Sequence, residues 1–174
     1  PAAPHRVAHV QLIRDEDIAR LAASGVHAPV QPLQATDDTV LIDRHLGDRG
    51  RLCYRFRDLQ SQGIPLAFGS DCPVADPSPL KGIHAAVTRT RHNGEPAGGW
   101  YPDQRLSVSE AVRAYTAGPA AATGRLGELG VIAPGALADL VVLGEDIYRV
   151  SPADIPSVPV CLTVFDGRVV YEDL

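Results

Sequence analysis

Apolar residues in the first part of the chain follow one repeated order. Short apolar runs at 5–11, 26–30 and 64–69 alternate with longer segments in which apolar residues recur at helical spacing. The last run, IPLAFG, is continuous rather than alternating, which is typical of a strand buried on both faces. Each intervening segment is long enough for a parallel crossover. The pattern predicts strand–helix–strand–helix–strand, an α/β fold with a parallel sheet.

The predicted helices of this part have recognisable boundary residues. The first runs over 15–25, with an Asp at its start and a Gly at its end. The second is capped by Asp37 or Asp38 and breaks near position 47. The third spans 51–62 and places apolar residues on one face. Acidic caps and terminal glycines are the usual punctuation of helices, so three crossover helices are expected.

After position 71 the pattern changes in two steps. A Pro-rich loop precedes a helix predicted at 80–91, and Ser107 with Glu110 three residues later forms the capping-box pattern that begins another helix. From Gly130 onward, apolar runs and turn residues predict a small antiparallel β unit. Its strands are expected at 138–144, 158–165 and 168–172, the last two joined by a tight Asp-Gly turn.

Length and composition bound the class of protein. The 174 residues suffice for one domain, or one domain and a small appendage, whereas a complete TIM barrel typically takes about 250 residues. The net charge of −5 excludes the basic surface that nucleic-acid binding needs, and no apolar run is long enough for a membrane span. The chain has no Met and begins at Pro1, so we expect processing or truncation at this end.

The three cysteines bear on the compartment. Cys53, Cys72 and Cys161 are odd in number and far apart in sequence. They match neither a disulfide framework nor the spacing of a zinc site. A reducing compartment, the cytoplasm, is therefore expected.

Candidate chemistry lies where the predicted strands end. In parallel sheets, functional side chains cluster at the carboxyl ends of the strands, and His9 and Asp71 occupy two such ends. In the string GSDCPV, we expect Gly69 to allow close backbone approach and Pro73 to delay the next helix, so that the Asp71 carboxylate faces a pocket. Such a carboxylate can bind a metal ion and carry a proton from attacking water to a leaving group.

Plainer roles remain open for the same residues. Asp71 could cap the following loop, and His9 could be a satisfied buried imidazole. Cys72 suggests a rival site, a thiolate nucleophile with a histidine base, although no base is evident from its position. Trp100, in a Gly- and Pro-rich loop, is either an aromatic lid over a substrate or an anchor for that loop.

Several strings occurring in one order resemble a known family. They are HRVAHVQLI, QPLQATDD, GIPLAFGSDCPV, KGIHAAVTR, GGWYPDQRLSVSEAVRAYTAGPA, GVIAPGALADLVVL and TVFDGRVVYE. Together they resemble the C-terminal part of amidohydrolase family 3, the N-acyl-amide and formamide hydrolase-like branch of the amidohydrolase superfamily. The resemblance covers essentially the whole chain. GSDCPV, AVRAYT and PGALADLVVL are specific as a set, although none would be alone.

The resemblance implies a fold and a chemistry. Residues 1–128 look like the C-terminal part of a (β/α)8 TIM barrel, about strands six to eight, and residues 129–174 look like part of a small β-sandwich domain. A divalent metal, zinc in type, would activate water to attack an amide carbonyl. The implied metal ligands are His9 and Asp71, with Asp71 also the catalytic proton shuttle, and the implied substrate-binding residues are Gln31, Gln34 and Trp100.

The chain departs from the family pattern in ways that shape the expectation. Ala8 replaces a glutamate of the usual strand-six motif, and Gln34 stands where a histidine is common. The ligands of the earlier barrel strands would lie before Pro1. We therefore expect an incomplete chain, inactive alone, whose partners are a small-molecule amide and the missing N-terminal half of the same protein.

Two other hypotheses about the function remain open beside that of a hydrolase. The chain could be a non-catalytic fragment or subunit that associates through its bare strand edges, as a homo-oligomer or a swapped assembly. It could also be an unrelated doubly wound binding domain. That fold would need a phosphate loop after the first strand, and VQLIRDED contains no glycine to form one.

Overall fold

The fold is described by a computed structural model that covers residues 4–173. Two short strands lie among the α-helices of the first half, and three strands lie near the end of the chain. The helices are α1 (Asp15–Ala23), α2 (Pro32–Asp37), α3 (Thr39–Leu46), α4 (Phe56–Ser61), α5 (Pro79–Thr88), α6 (Val108–Tyr115) and α7 (Ala117–Ala122). The strands are β1 (Ala28–Val30), β2 (Leu66–Phe68), β3 (Leu140–Leu143), β4 (Val160–Phe165) and β5 (Arg168–Glu172). Short 3-10 helices occur at Gly47–Leu52, Pro102–Gln104 and Ile155–Ser157.

Three parallel segments form the centre of the α/β part. Strands β1 and β2 pair in parallel, with Ala28 opposite Leu66. Segment 5–9 lies along β1 as well, because the His9 amide donates to the Pro29 carbonyl at 2.7 Å and the Val7 amide to the His27 carbonyl at 3.0 Å. The predicted mixed α/β class is thus confirmed.

The segment predicted as one helix over 51–62 is divided into two pieces. A 3-10 helix ends at Leu52, and α4 begins only at Phe56. Between them the chain pairs antiparallel with the segment after the first strand, through a bridge between Leu12 and Cys53 and a bond from the Tyr54 amide to the Gln11 carbonyl at 2.9 Å. Since these groups bond across the fold, they cannot also continue a helix, and the prediction of one helix was wrong.

Helix α2 is an element that the sequence pattern missed. The pattern predicts no element between the apolar run 26–30 and the cap at Asp37 or Asp38, yet Pro32 occupies the first turn of α2. Proline is well suited to that position because its fixed φ matches the helix and its missing N–H would be unsatisfied there anyway. The helix brings Gln31 and Gln34 to the end of β1.

The C-terminal strands confirm the predicted antiparallel unit. They form a sheet in the order β3-β4-β5, and Asp166 and Gly167 make the turn with φ of 49° and 72°. Both faces of this sheet are largely exposed. The connection between β3 and β4 behaves differently, since Ile155 is fully buried and its 3-10 helix packs against α5. The domain division at residues 128 and 129 stays a prediction.

The buried core lies between the parallel segments and the helices around them. Phe56 packs against Phe68, and Phe68 against Tyr115, with ring centroids 5.6 and 5.4 Å apart. The rings join α4, β2 and α6 and so fix the end of β2 that leads to Asp71. Within residues 4–173, none of the helices combines the length and apolar character that crossing a membrane requires.

Candidate active site

His9 and Asp71 approach each other at one edge of the parallel sheet. His9 ends the segment beside β1, and Asp71 follows β2 on the other side of β1. The Nε2 atom of His9 lies 3.9 Å from Oδ2 of Asp71, and their side chains are 41% and 44% exposed. Two residues 62 positions apart in sequence therefore share one open site, as their positions at strand ends predicted.

Helix α2 covers the same edge with two glutamines. The Gln34 side chain donates from Nε2 to Oδ2 of Asp71 at 3.4 Å, and Gln34 itself is buried. Gln31, one turn earlier, is also buried, and its Oε1 atom has no hydrogen-bond partner among the described residues. The two predicted substrate-binding glutamines thus lie together after β1, Gln31 at the N-cap of α2 and Gln34 within it, and Gln34 reaches the predicted catalytic carboxylate.

The backbone at the site adopts conformations that L-residues seldom take. His9 and Val10 have φ of 69° and 44°, and Asp71 has φ of 60°. A β-branched residue such as Val10 is strongly disfavoured in this region. Such strained residues concentrate at functional sites, where the surrounding structure holds them. Here the residues with positive φ lie where the chain leaves segment 5–9 and where it leaves β2.

A hydrogen-bonded row of Gln11, Tyr54 and Asp38 begins two residues after His9, and its buried central residue, Tyr54, was not predicted. The Gln11 side chain donates from Nε2 to the Tyr54 hydroxyl at 2.5 Å, and this hydroxyl donates to Oδ2 of Asp38 at 2.5 Å. Burial, and the bond to the Asp38 carboxylate, raise the pKa of the Tyr54 phenol well above its usual range. Nothing in the local pattern marks Tyr54, because its partners are distant in sequence.

The donors at this edge fit part of a metal site. The Nδ1 atom of His9 is buried and lacks a hydrogen-bond partner within residues 4–173, so the imidazole is not committed to another group. Imidazole nitrogen and carboxylate oxygen are both common zinc ligands. In the described part of the chain, however, no three His, Cys, Asp or Glu side chains gather as a full site requires. His9 and Asp71 thus fit as two of the ligands.

Trp100 is buried and does not lie at an opening of the candidate site. It is 6% exposed, its Nε1 donates to Oδ1 of Asp43 at 2.9 Å, and its ring stands edge-on to Tyr101. These contacts favour the role of loop anchor over that of a lid. Its role in substrate binding stays a prediction.

Two further expectations for the loop after β2 can be compared with the geometry. A Cβ added at Gly69 would meet no atom within 4 Å, so the close backbone approach expected there is absent among residues 4–173. Cys72 is exposed, and its sulfur makes no hydrogen bond to a histidine in the described chain. The geometry therefore gives no support to a thiolate–histidine pair.

Comparison with known proteins places these features in a family. The sequence profile described as "Amidohydrolase family" matches residues 1–171. The chain is 34% identical over 168 residues to the putative amidohydrolase YtcJ of Bacillus subtilis (strain 168), an alignment covering 96% of this chain and 32% of that protein. It is 34% identical over 116 residues to N-substituted formamide deformylase of Arthrobacter pascens, covering 67% and 21% of the two chains.

The chain is also similar to a protein of known structure. The chain is similar to an uncharacterized metal-dependent hydrolase from Pyrococcus horikoshii OT3, with a TM-score of 0.75 and 30% identity over 86% of this chain and 30% of that one. The chain spans about a third, or less, of the length of the curated relatives it matches. The profile match along nearly all its length shows that the chain belongs to the amidohydrolase family.

Proposed function

We propose that this chain supplies the proton-transfer side of the active site of a metal-dependent hydrolase of amide-type, non-peptide C–N bonds. One observation carries the proposal: Asp71 Oδ2 lies 3.9 Å from His9 Nε2 and 3.4 Å from Gln34 Nε2, at the carboxyl edge of a parallel sheet. A carboxylate that is open to solvent yet bordered by an imidazole and an amide can both reach a substrate and exchange protons.

Asp71 is the group that moves the proton. In amide hydrolysis, water adds its oxygen to the carbonyl carbon, the C–N bond breaks, and the nitrogen leaves as an amine. The Asp71 carboxylate takes the proton that the water gives up and delivers it to the leaving nitrogen, so the carboxylate is regenerated in each cycle. General acid–base transfer of this kind contributes roughly 10²–10⁴-fold to a rate.

His9 and Asp71 would hold one side of the metal ion. A divalent ion of the zinc type, when bound, lowers the pKa of water and polarises a carbonyl. A catalytic zinc site uses three protein ligands and one open position. The remaining ligands therefore have to come from another part of the polypeptide, and we propose that activity belongs to a longer protein that contains this chain.

The glutamines of α2 are suited to orient an amide. Gln34 donates to Asp71 at 3.4 Å and so borders the carboxylate on the side of α2. The Oε1 atom of Gln31 has no partner among residues 4–173 but is buried, so it could accept the N–H of a substrate amide only if a local movement exposed it. The similarity to N-substituted formamide deformylase of Arthrobacter pascens supports a small C–N substrate.

The architecture proposed for the longer protein follows from the sheet. Segment 5–9, β1 and β2 would be strands six to eight of a (β/α)8 barrel, with residues 1–128 in the barrel and 129–174 in a β-sandwich. Their parallel order and the similarity to a metal-dependent hydrolase of known structure support this reading. The second candidate, a non-catalytic subunit that associates through exposed strands, is favoured by the uncovered three-stranded sheet.

The proposal is tested by removing the charge of Asp71. In the protein expressed from the complete open reading frame, with zinc added, Asp71→Asn is expected to slow the hydrolysis of simple formamides at least about a hundredfold, because the proton shuttle is lost. Asp76→Asn is the matched control, since Asp76 lies in the same loop but pairs with Lys81. Amine release and bound metal are measured for both variants.

The outcomes separate the two candidates. A large loss with Asp71→Asn, together with near-normal rates for Asp76→Asn, supports the hydrolase. An Asp71→Asn protein as active as the wild type would eliminate Asp71 as the shuttle. If the complete protein hydrolyses neither formamides nor other simple amides with added metal, the non-catalytic alternative is favoured instead.

A further inference from the structure

We propose that Tyr54 is a positioning residue that holds the turn His9–Gln11 against α2 and α3, and thereby sets the position of the His9 imidazole relative to Asp71. The effect on His9 as a metal ligand rests on the proposed function. The hydrogen bonds by which Tyr54 holds the turn do not depend on a metal. Tyr54 is 1% exposed and does not touch the open site, so its influence would pass through Gln11 and Asp38.

Tyr54 holds Gln11 at two points. The Tyr54 amide donates to the Gln11 carbonyl at 2.9 Å, and the Gln11 side chain donates to the Tyr54 hydroxyl at 2.5 Å. Main chain and side chain of Gln11 are therefore both restrained by one residue. The two residues before Gln11, His9 and Val10, have positive φ and need such restraint, because an unrestrained chain would relax to an extended or helical conformation.

The hydroxyl of Tyr54 also connects this turn to the opposite wall of the site. It donates to Asp38, which lies between α2 and α3. Helix α2 carries Gln34, whose amide donates to Asp71. One phenol thus bridges the segment that carries His9 and the helix that contacts Asp71.

Arg89 keeps Tyr54 itself in place. The fully buried guanidinium donates from Nη1 to the Tyr54 carbonyl at 3.2 Å and from Nε to the Trp100 carbonyl at 3.0 Å. Its carbon Cζ lies 5.3 Å from the Phe56 ring centroid and 5.2 Å from that of Trp100. Since Tyr54 also has a positive φ of 50°, these contacts fix a backbone conformation that would not persist alone.

Burial lowers the pKa of Arg89 to about 10, so it remains protonated at neutral pH. No carboxylate pairs with it in the described part of the chain, and the two aromatic faces and two carbonyls take that place. The Arg89 side chain is held by these contacts, and it in turn holds the Tyr54 carbonyl. Hydrogen bonds thus connect Arg89 to Tyr54 and Tyr54 to Gln11.

The test compares two tyrosine-to-phenylalanine variants of the protein expressed from the complete open reading frame. Tyr54→Phe removes the bridging hydroxyl, whereas the control Tyr115→Phe removes a hydroxyl of a similarly inward-facing ring that packs on Phe68 and is not part of the row. Amide hydrogen exchange of the peptide spanning 7–13 is followed by mass spectrometry. We expect exchange about tenfold faster in Tyr54→Phe than in wild type or Tyr115→Phe, because the hydrogen bonds that join the Tyr54 hydroxyl to Gln11 and Asp38 are lost.

Zinc affinity, measured by competition with a chelator, is the second readout. Loss of an outer support of a metal ligand typically weakens metal binding by about 10–100-fold, and we expect Tyr54→Phe to fall at the lower end. Faster exchange with weaker zinc binding supports the whole inference. Faster exchange in a protein whose wild type binds no zinc supports the positioning role and contradicts the proposed function. Unchanged exchange in 7–13 overturns the positioning role, whatever the activity.

Asp38 offers a graded check on the same row. Asp38→Asn keeps an oxygen that accepts from the Tyr54 hydroxyl, whereas Asp38→Ala leaves the hydroxyl without that partner. Exchange of 7–13 should accelerate less in Asp38→Asn than in Asp38→Ala. Equal acceleration in both variants would show that the contact between Tyr54 and Asp38 does not restrain the turn.

Discussion

Single glycines show how strongly surroundings decide the role of a residue. A Cβ on Gly118 would lie 2.3 Å from the Leu66 carbonyl oxygen and 3.2 Å from Cα of Ala67, so α7 can approach β2 this closely only because position 118 has no side chain. Gly69, at the end of the same strand, meets nothing within 4 Å. The sequence pattern drew attention to Gly69, but the close approach occurs at Gly118.

This contrast gives a stability prediction. Gly118→Ala is expected to destabilise the protein by about 1–3 kcal/mol, because the added methyl group would overlap backbone atoms that cannot move independently. Gly69→Ala, the matched control, should change the free energy of unfolding by less than about 0.5 kcal/mol. Urea unfolding of both variants measures the difference. Equal stability of the two variants would contradict the close packing of α7 on β2.

At the scale of single residues, the proximity of two side chains was predictable where chemistry and position coincided. His9 and Asp71 were identified because each is a ligand-type residue at the end of an apolar run, and parallel strands bring such ends together. Tyr54 was missed because it lies inside what the periodicity predicted as a helix. Its three polar partners are contributed by segments 16 to 43 positions away.

Among the elements, α6 shows a local signal combined with a distant one. Ser107 and Glu110 form the predicted capping box, in which each side chain bonds to the backbone of the other. Glu110 also makes a bidentate ion pair with Arg57 of α4, with both N–O distances 2.8 Å. The Arg57 guanidinium, aided by the Ser107 backbone, lowers the pKa of Glu110 to about 2. The cap was readable from sequence, whereas the link to α4 was not.

The ion pair predicts a pH dependence. Because the folded state lowers the pKa of Glu110, its carboxylate stabilises the fold fully above about pH 4.5, and this stabilisation is lost as the pH falls towards 2. Glu110→Gln should therefore cost about 1 kcal/mol at pH 6 and less at pH 3. Urea unfolding at both pH values provides the measurement. A cost that does not change with pH would argue against the pairing with Arg57.

A matched control separates this pair from general charge effects. Glu145 is exposed and makes no salt bridge among residues 4–173. Glu145→Gln removes the same charge from the surface, so its effect on unfolding should stay small at pH 6 and at pH 3. A pH-dependent cost in both variants would point to net charge rather than to the link between α6 and α4.

Considered as a whole, the molecule has one well-covered part and one open part. The helices cover β1 and β2, whereas the β3-β4-β5 sheet exposes apolar side chains on its outer strands. Val141 is 56% exposed and Val170 is 61% exposed. Exposed apolar side chains, when they form a patch, are typical of a site of association.

Self-association of the isolated chain is the prediction at this scale. We expect the sedimentation coefficient of the chain alone to rise with concentration, and Val170→Lys to reduce that rise, because a charge on an edge strand discourages pairing. Val40→Lys is the control, since Val40 is equally exposed, at 63%, but lies on α3. A monomeric wild-type chain, or equal effects of both lysines, would show that the sheet is not the associating surface.

The sequence alone determined the α/β order, the antiparallel C-terminal unit, the capping box and the two residues that meet at the sheet edge. These features depend on local periodicity, on turn residues and on the rule that parallel strands end together. Only the tertiary structure decided the break before α4, the burial of Trp100, the close approach at Gly118 and the row through Tyr54. Each of these depends on hydrogen bonds or packing between segments distant in sequence, and such contacts leave no local pattern.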